Sequence, residues 1–274
     1  MSDAAQHCSF QALILAGDRG ATDPLLAQSE ACCKAMIEID GTPMVLRVLT
    51  ALRTAECIEG RLLSGTKPEQ LAVEPEVHRL VESGEISWCE PRGTPSTSAS
   101  HAMERIDSDT PVLITTADHP LLSAAIVDHF CRESAASDAD LTVGLAPHRL
   151  VAEAFPEMKK TVLRFRDEDY CGCNLFAFLT PQASGFAEYW RQVESDRKNP
   201  LKIIRVLGWG AVIRYLLGWL SLDDALDSLS RKFGLRIRAV ILPYAEAAVD
   251  VDSVRDHYIV QEKLTSRAGP REAE

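Results

Sequence analysis

Short apolar runs of strand length alternate with helical patterns from residue 10 to about residue 147, and this rhythm constrains the fold more than any other feature of the chain. Gln11 to Ala16, Gly60 to Ser64, Ile86 to Cys89, Pro111 to Thr116 and Asp140 to Ala146 read as strands. Between them, the segment opening Met44-Val45-Leu46, with Pro43 at its start, and the segments Ser98 to Ile106 and Ser123 to Ser134 carry apolar residues at helical spacing. Strands that alternate with helices belong in a parallel sheet covered by those helices. The expected fold class is α/β: a three-layer, Rossmann-like, mostly parallel sheet.

Two further strands, Thr161 to Phe165 and Gly172 to Leu179, are expected in the same sheet, and the last runs from Arg236 to Leu242. Ala247 to Val251 then reads as a strand end that opens a closing helix from Ser253 to about Leu264. The chain is read as one domain over 1–274, with its core in 10–180 and 236–264, a helical insertion over 181–235 and a disordered tail over 265–274. Within the insertion, 201–220 is apolar but holds Lys202, Arg205 and Arg214 and the glycines Gly208, Gly210 and Gly218, which argues against a membrane span. Two readings of it stay open. It packs on the sheet or forms a homodimer surface, or its Trp209, Tyr215 and Trp219 make it an interfacial helix for peripheral membrane contact at the inner face.

The first strand stops abruptly at Gly17-Asp18-Arg19-Gly20, and Lys34 follows after a polar loop. A glycine at a strand end lets backbone amides approach a polyphosphate without an intervening Cβ, and Arg19 and Lys34 add fixed positive charge for the same oxygens. The fourth expected strand ends at Ala117-Asp118-His119-Pro120. Ligands collect beyond the carboxyl ends of parallel strands, so Asp118 is placed to hold Mg²⁺ between itself and substrate phosphates, unless it is only a turn or cap residue. Asp250 and Asp252 arrive late in the chain, where alternation puts both on one side of an extended segment. Lys160 and Arg164 are candidates for an acceptor phosphate, with a solvated basic strand as the alternative.

Charge and cysteine content narrow the field. A net charge of −11 excludes the basic footprint of a nucleic-acid binder while leaving room for a local basic loop that takes free nucleotides. None of the eight cysteines stands at zinc-ligand spacing, and they read as reduced thiols in a cytoplasmic chain. No Ser-His-Asp or Cys-His arrangement is recognisable.

Together, Leu13 to Gly20, Asp23-Pro24-Leu25, Cys33-Lys34-Ala35-Met36 and Gly41-Thr42-Pro43-Met44 resemble the opening of the MobA-like nucleotidyltransferase family, whose fold is of the glycosyltransferase-A type. Thr116-Ala117-Asp118-His119-Pro120 is similar to the family's metal-binding Asp before a proline, Gly172-Cys173-Asn174 to its Gly-x-Asn strand near the acceptor, and Asp250-Val251-Asp252-Ser253 to its closing Asp-x-Asp segment. Asp18 stands where the family usually has another glycine. The resemblance implies nucleotide binding by Leu15, Ala16, Gly17, Asp18, Arg19, Gly20 and Lys34, with Ser96 and Ser98 near base and ribose unless they merely cap a solvated turn. It implies metal binding by Asp118, Asp252 and, as second choice, Asp250, and acceptor binding by Gly172 and Asn174. Arg19, Lys34 and Asp118 would carry catalysis. The implied activity is a Mg²⁺-dependent transfer of NMP from an NTP, CTP or GTP, to a phosphorylated small-molecule or lipid-linked acceptor, with release of pyrophosphate. A nucleotide-sugar glycosyltransferase of the same fold and a non-catalytic nucleotide-binding scaffold are the alternatives.

Overall fold

The computed structural model describes residues 8–17, 23–184 and 209–268. In chain order its strands are β1 (Phe10–Ala16), the small hairpin β2 (Glu38–Ile39) and β3 (Thr42–Pro43), β4 (Ile58–Gly65), β5 (Ser87–Cys89), β6 (Val112–Thr116), β7 (Leu141–Pro147), β8 (Val162–Arg164), β9 (Asp169–Phe178) and β10 (Ile237–Ile241). An eight-stranded sheet runs β10-β7-β9-β6-β1-β4-β5, with β8 paired to β9. β1 pairs in parallel with β4 and β6, as do β4 with β5 and β7 with β10. β9 runs antiparallel between β6 and β7. The α/β, mostly parallel sheet expected from the alternation is the sheet observed.

β1 is buried on both faces because it lies at the middle of the sheet. Ala12, Ile14 and Ala16 enter one core with Val45, Val48 and Leu52 of the helix Met44–Thr54 and Ile126, Val127 and Phe130 of the helix Ala124–Ala136. Leu13 and Leu15 enter the opposite core with Ala99 and Ala102 of the helix Pro95–Met103 and Leu222 and Leu226 of the helix Leu222–Phe233. Alternate residues of one strand thus serve two layers, and each large aliphatic or Phe side chain buried this way contributes about 1.5–3 kcal/mol. At the carboxyl edge Ala16 pairs with Gly65, whose φ is +138°. A Cβ at Gly65 would lie 2.3 Å from the Ala16 carbonyl carbon, so only glycine lets these strand ends meet.

Several boundaries differ from expectation. The helix expected from Ser98 to Ile106 begins at Pro95 and stops at Met103, because Thr94 caps it by accepting the Thr97 N–H and Pro95 suits its first turn. The strand expected at Ala247 to Val251 is a 3₁₀ turn, Ala245–Ala248, followed by an extended stretch without a ladder partner. Burial of Val249 and Val251 in a third core with Met44 and Val260 holds that stretch in place. The closing helix, Val254–Ala268, continues through 265–268, which were expected to be disordered; Val260 and Leu264 anchor it to the same core.

The helical insertion is partly core: Ser221 caps the helix Leu222–Phe233, Gly234 at φ +66° ends it, and its apolar face covers the sheet. Ahead of it the helix Trp209–Leu216 and the following turn leave Ile213, Leu216, Leu217 and Trp219 exposed. Residues 185–208, including the first part (201–208) of the apolar stretch 201–220, lie outside the described residues. Among those described, no helix is long and apolar enough to cross a membrane.

Candidate functional site

The carboxyl ends of β1 and β6, the 3₁₀ turn Lys34–Met36 and the extended stretch before the closing helix converge on one cluster of charges. Lys34 Nζ lies 2.6 Å from Asp118 Oδ2 and 2.7 Å from Asp252 Oδ1, and the lysine is buried. Asp118 is fixed from two further directions: its Oδ1 accepts the Thr116 hydroxyl at 2.6 Å, and its carbonyl accepts the Val251 N–H at 2.9 Å. The second of these ties the Asp252 segment directly to the end of β6.

The electrostatics follow from that packing. Burial alone would raise the Asp118 carboxyl, but the Lys34 ammonium, His119 and the Thr116 hydroxyl outweigh it and hold the pKa at about 2. Burial works against the Lys34 ammonium too, and the two carboxylates again win, raising its pKa so that it stays charged. The three side chains therefore form a desolvated −/+/− arrangement.

A second pair adjoins it. Lys160 Nζ makes a short salt bridge to Asp250 Oδ1 and lies 3.4 Å from the Asp250 carbonyl. His119 is buried, and its Nε2 receives the Asn174 Nδ2 hydrogen bond at 2.9 Å. Burial lowers the imidazole pKa; Asp250 and Asp118 pull the other way without overcoming it. The ring is neutral near pH 7.

The sequence candidates divide clearly. Lys34, Asp118 and Asp252 stand together, and Lys160, Asp250 and Asn174 are brought to the same end of the sheet through His119. Leu15 and Ala16 are buried at the end of β1, and Gly17 follows exposed. Asp18, Arg19 and Gly20 lie outside the described residues. Ser98 is engaged structurally: its hydroxyl accepts the Arg92 N–H at 2.8 Å and donates back to the Arg92 carbonyl at 3.3 Å. Ser96 is buried against the Thr94 hydroxyl at 3.0 Å. Gly172 is open, with nothing within 4 Å of a Cβ built on it. Arg164 is exposed on β8, 3.9 Å from Asp169, and among the described residues shares no hydrogen bond or ion pair with the cluster.

Two contributors were not singled out from the sequence. Thr116 is one step from the strand end and reads as part of an apolar run. His119 was weighed beside Asp118 as the weaker residue and not carried further; the signal available was that adjacency.

The cluster supplies hard oxygen donors of the kind Mg²⁺ takes, from two carboxylates already converging on one cationic atom. Among the described residues no group of three or more His, Cys, Asp or Glu forms an all-protein cage. The donor set therefore fits a magnesium ion that draws its remaining oxygens from phosphates and water.

Comparison with known proteins agrees with this architecture. The family model described as "MobA-like NTP transferase domain" matches residues 12–172. A hypothetical transferase from Thermus thermophilus is 28% identical, with a TM-score of 0.73, covering 91% of this chain and 99% of its own. The CTP complex of CMP:2-keto-3-deoxy-manno-octonic acid synthetase is 11% identical, with a TM-score of 0.57, covering 94% and 98%. 4-Diphosphocytidyl-2C-methyl-D-erythritol synthase from Anaerococcus prevotii is 14% identical, with a TM-score of 0.55, covering 94% and 97%. At those identities the last two show likeness of fold. No functionally curated protein matches the sequence.

Proposed function

The chain belongs to the MobA-like NTP transferase family, and from that premise we propose that it is a Mg²⁺-dependent nucleotidyltransferase that moves an NMP from an NTP, CTP or GTP, to a phosphorylated acceptor and releases pyrophosphate. The observation that carries the reading is the Lys34 ammonium held between Asp118 and Asp252 at the carboxyl ends of the strands, where open α/β sheets bind ligands.

Asp118 and Asp252 would hold Mg²⁺, with Asp250 next to them. When bound, the metal would neutralise charge developing on the phosphates and so lower the barrier to displacement. Lys34 contributes a permanent positive charge at the same point, and burial strengthens its action on phosphate oxygens. The reaction balances without a protein nucleophile: an acceptor phosphate oxygen bonds to the α-phosphorus while the bond from that phosphorus to the leaving pyrophosphate breaks. A phosphate dianion needs no general base, so the site's work is positioning and electrostatics. Lys160, paired with Asp250, is the cation available to the acceptor's anionic group.

The test is thermal stability of the purified protein with each of the four NTPs, with and without Mg²⁺, followed by pyrophosphate release with phosphorylated acceptors. A metal-dependent shift for one nucleotide is the expected result and identifies the base. Absence of any shift refutes the reading.

A further inference from the structure

β4 lies inside the sheet between β1 and β5, and strand alternation puts Arg61 on the same face as Leu63, the face that packs into the core under the helix Met44–Thr54. A guanidinium at an inward position of an interior strand needs partners for its donors. Arg61 Nη2 donates to the Glu85 carbonyl at 3.1 Å, but Nε is buried and has no hydrogen-bond partner. Buried polar atoms in folded proteins are nearly all paired, and an exception calls for a bound water, ion or ligand.

Arg61 lines a cleft of about 140 Å³ between the helix Met44–Thr54 and the helix Pro75–Glu82, walled by Leu46, Leu49, Leu80 and Ile86. An apolar cavity of about 150 Å³ is large enough to bind benzene. Arg53, in the last turn of the first of these helices, lines the cleft as well, and among the described residues it makes no hydrogen bond or ion pair. Glu76 is the acidic side chain of the lining, and its carboxylate is held by Arg79, whose Nε and Nη2 donate to it at 3.0 and 2.9 Å. Arg79 Nη1 also donates to the Glu85 carboxylate at 2.7 Å. Among these side chains the guanidiniums of Arg53, Arg61 and Arg79 outnumber the carboxylates of Glu76 and Glu85 by one.

We infer that this cleft binds a small monocarboxylic acid with a compact apolar body, whose carboxylate accepts hydrogen bonds from Arg61 Nε and from the Arg53 guanidinium. Carboxylate and guanidinium are both planar, and their hydrogen bonds are strengthened by charge. The apolar body takes the place of water against four aliphatic side chains. One negative charge matches the excess of one guanidinium, whereas the second charge of a phosphate dianion would be repelled by Glu76 and Glu85. None of the lining residues belongs to the cluster of Lys34, Asp118 and Asp252, so this is a second site whose existence does not depend on the nucleotidyl-transfer reading.

The experiment is isothermal titration calorimetry of the full chain with benzoate, with its neutral analogue benzamide and with phenyl phosphate. Benzoate should bind, and the other two should bind at least about tenfold more weakly, because hydrogen bonds to an ionised group are worth that much or more. Arg61→Met should weaken benzoate binding by at least about tenfold, and Lys34→Met, in the strand-end cluster, should leave it unchanged. Where Arg61→Met does not fold, Arg53→Met, at an exposed position, carries the same test. Absence of benzoate binding overturns the assignment, and so does benzamide binding as tightly as benzoate. Phenyl phosphate binding as tightly as benzoate overturns the monocarboxylate class. Benzoate binding that survives the arginine substitution, or that is lost in Lys34→Met, places the acid elsewhere and overturns the site.

Discussion

Lys34 and Asp252 are 218 positions apart in the sequence and 2.7 Å apart in space. The contact closes the domain on itself, because Lys34 leaves the first strand-loop unit and Asp252 precedes the closing helix. That helix also grips the β2–β3 hairpin, where Gln261 Oε1 accepts the Asp40 N–H at 2.6 Å and His257 Nε2 lies 2.7 Å from the Glu38 carbonyl. The residues on either side of the salt bridge are therefore held by the same helix.

Replacing that ammonium tests how far the site depends on a cation. Lys34→Met removes the positive charge while Asp118 and Asp252 stay close together and partly buried. The variant should lose about 3 kcal/mol in urea denaturation, the cost of uncompensated charge in a desolvated place. Added Mg²⁺ should recover more stability in the variant than in the wild-type protein, because it binds the folded state at the carboxylates Lys34 has vacated. A variant that gains no stability from Mg²⁺ would remove these carboxylates from the metal site.

Asp118→Asn separates charge from shape. The amide fills the same space and still presents an oxygen to the Thr116 hydroxyl, so circular dichroism should be unchanged. Turnover should fall by about 10³-fold or more, since transition-state charge stabilisation of this kind is worth several kcal/mol. Full pyrophosphate release from the variant would exclude Asp118 from catalysis.

Asp140 gives a pH signature outside the site. Its carboxylate accepts the Arg236 backbone N–H at 2.8 Å and Nη2 at 3.1 Å, pinning the start of β10 to β7. The Arg236 hydrogen bonds pull its pKa below the ordinary carboxylate value. A depressed folded-state pKa means that the contribution is fully present above the unfolded value of about 4, and is lost as pH falls through the folded value. Asp140→Asn should cost about 1–3 kcal/mol at pH 7. Urea midpoints of variant and wild type should converge as the pH drops well below the ordinary carboxylate value, and a gap that is independent of pH would contradict the assignment.

The sheet was legible because strand and helix periods differ, and because β1, β4, β6 and β7 are local apolar runs whose pattern does not depend on distant partners. The individual carboxylates and Lys34 were legible as motif residues at strand ends. Their connection was not, since nothing local links position 34 to position 252. Asp250 and Asp252 were expected on a strand, yet they lie on an extended stretch held by two buried valines and by the Val251 N–H bond to the Asp118 carbonyl. The His119–Asn174 bond was hidden for a related reason: it depends on a bulge opposite Gly144, and a strand's alternation pattern carries no mark of where its ladder will slip. Ser98 shows the same limit from the other side, for a serine in a polar loop looks the same in sequence whether it meets a ligand or braces Arg92.

Two glycines at the ligand-facing edge should respond very differently to the same substitution. Gly65 sits at φ +138°, a conformation that L side chains rarely adopt, and a Cβ there would press into the Ala16 backbone, which cannot move aside without breaking the β1–β4 pairing. Gly65→Ala should therefore destabilise the protein by more than about 2 kcal/mol, through strain and the steric overlap together. Gly172 lies in a strand with open space around its Cβ direction. Gly172→Ala should change stability by less than about 1 kcal/mol. Thermal and urea denaturation of both variants decide it. Comparable losses would mean that the approach of β4 to the end of β1 is looser than this geometry requires, and the strand-end crevice would then be shaped by something other than the Ala16–Gly65 contact.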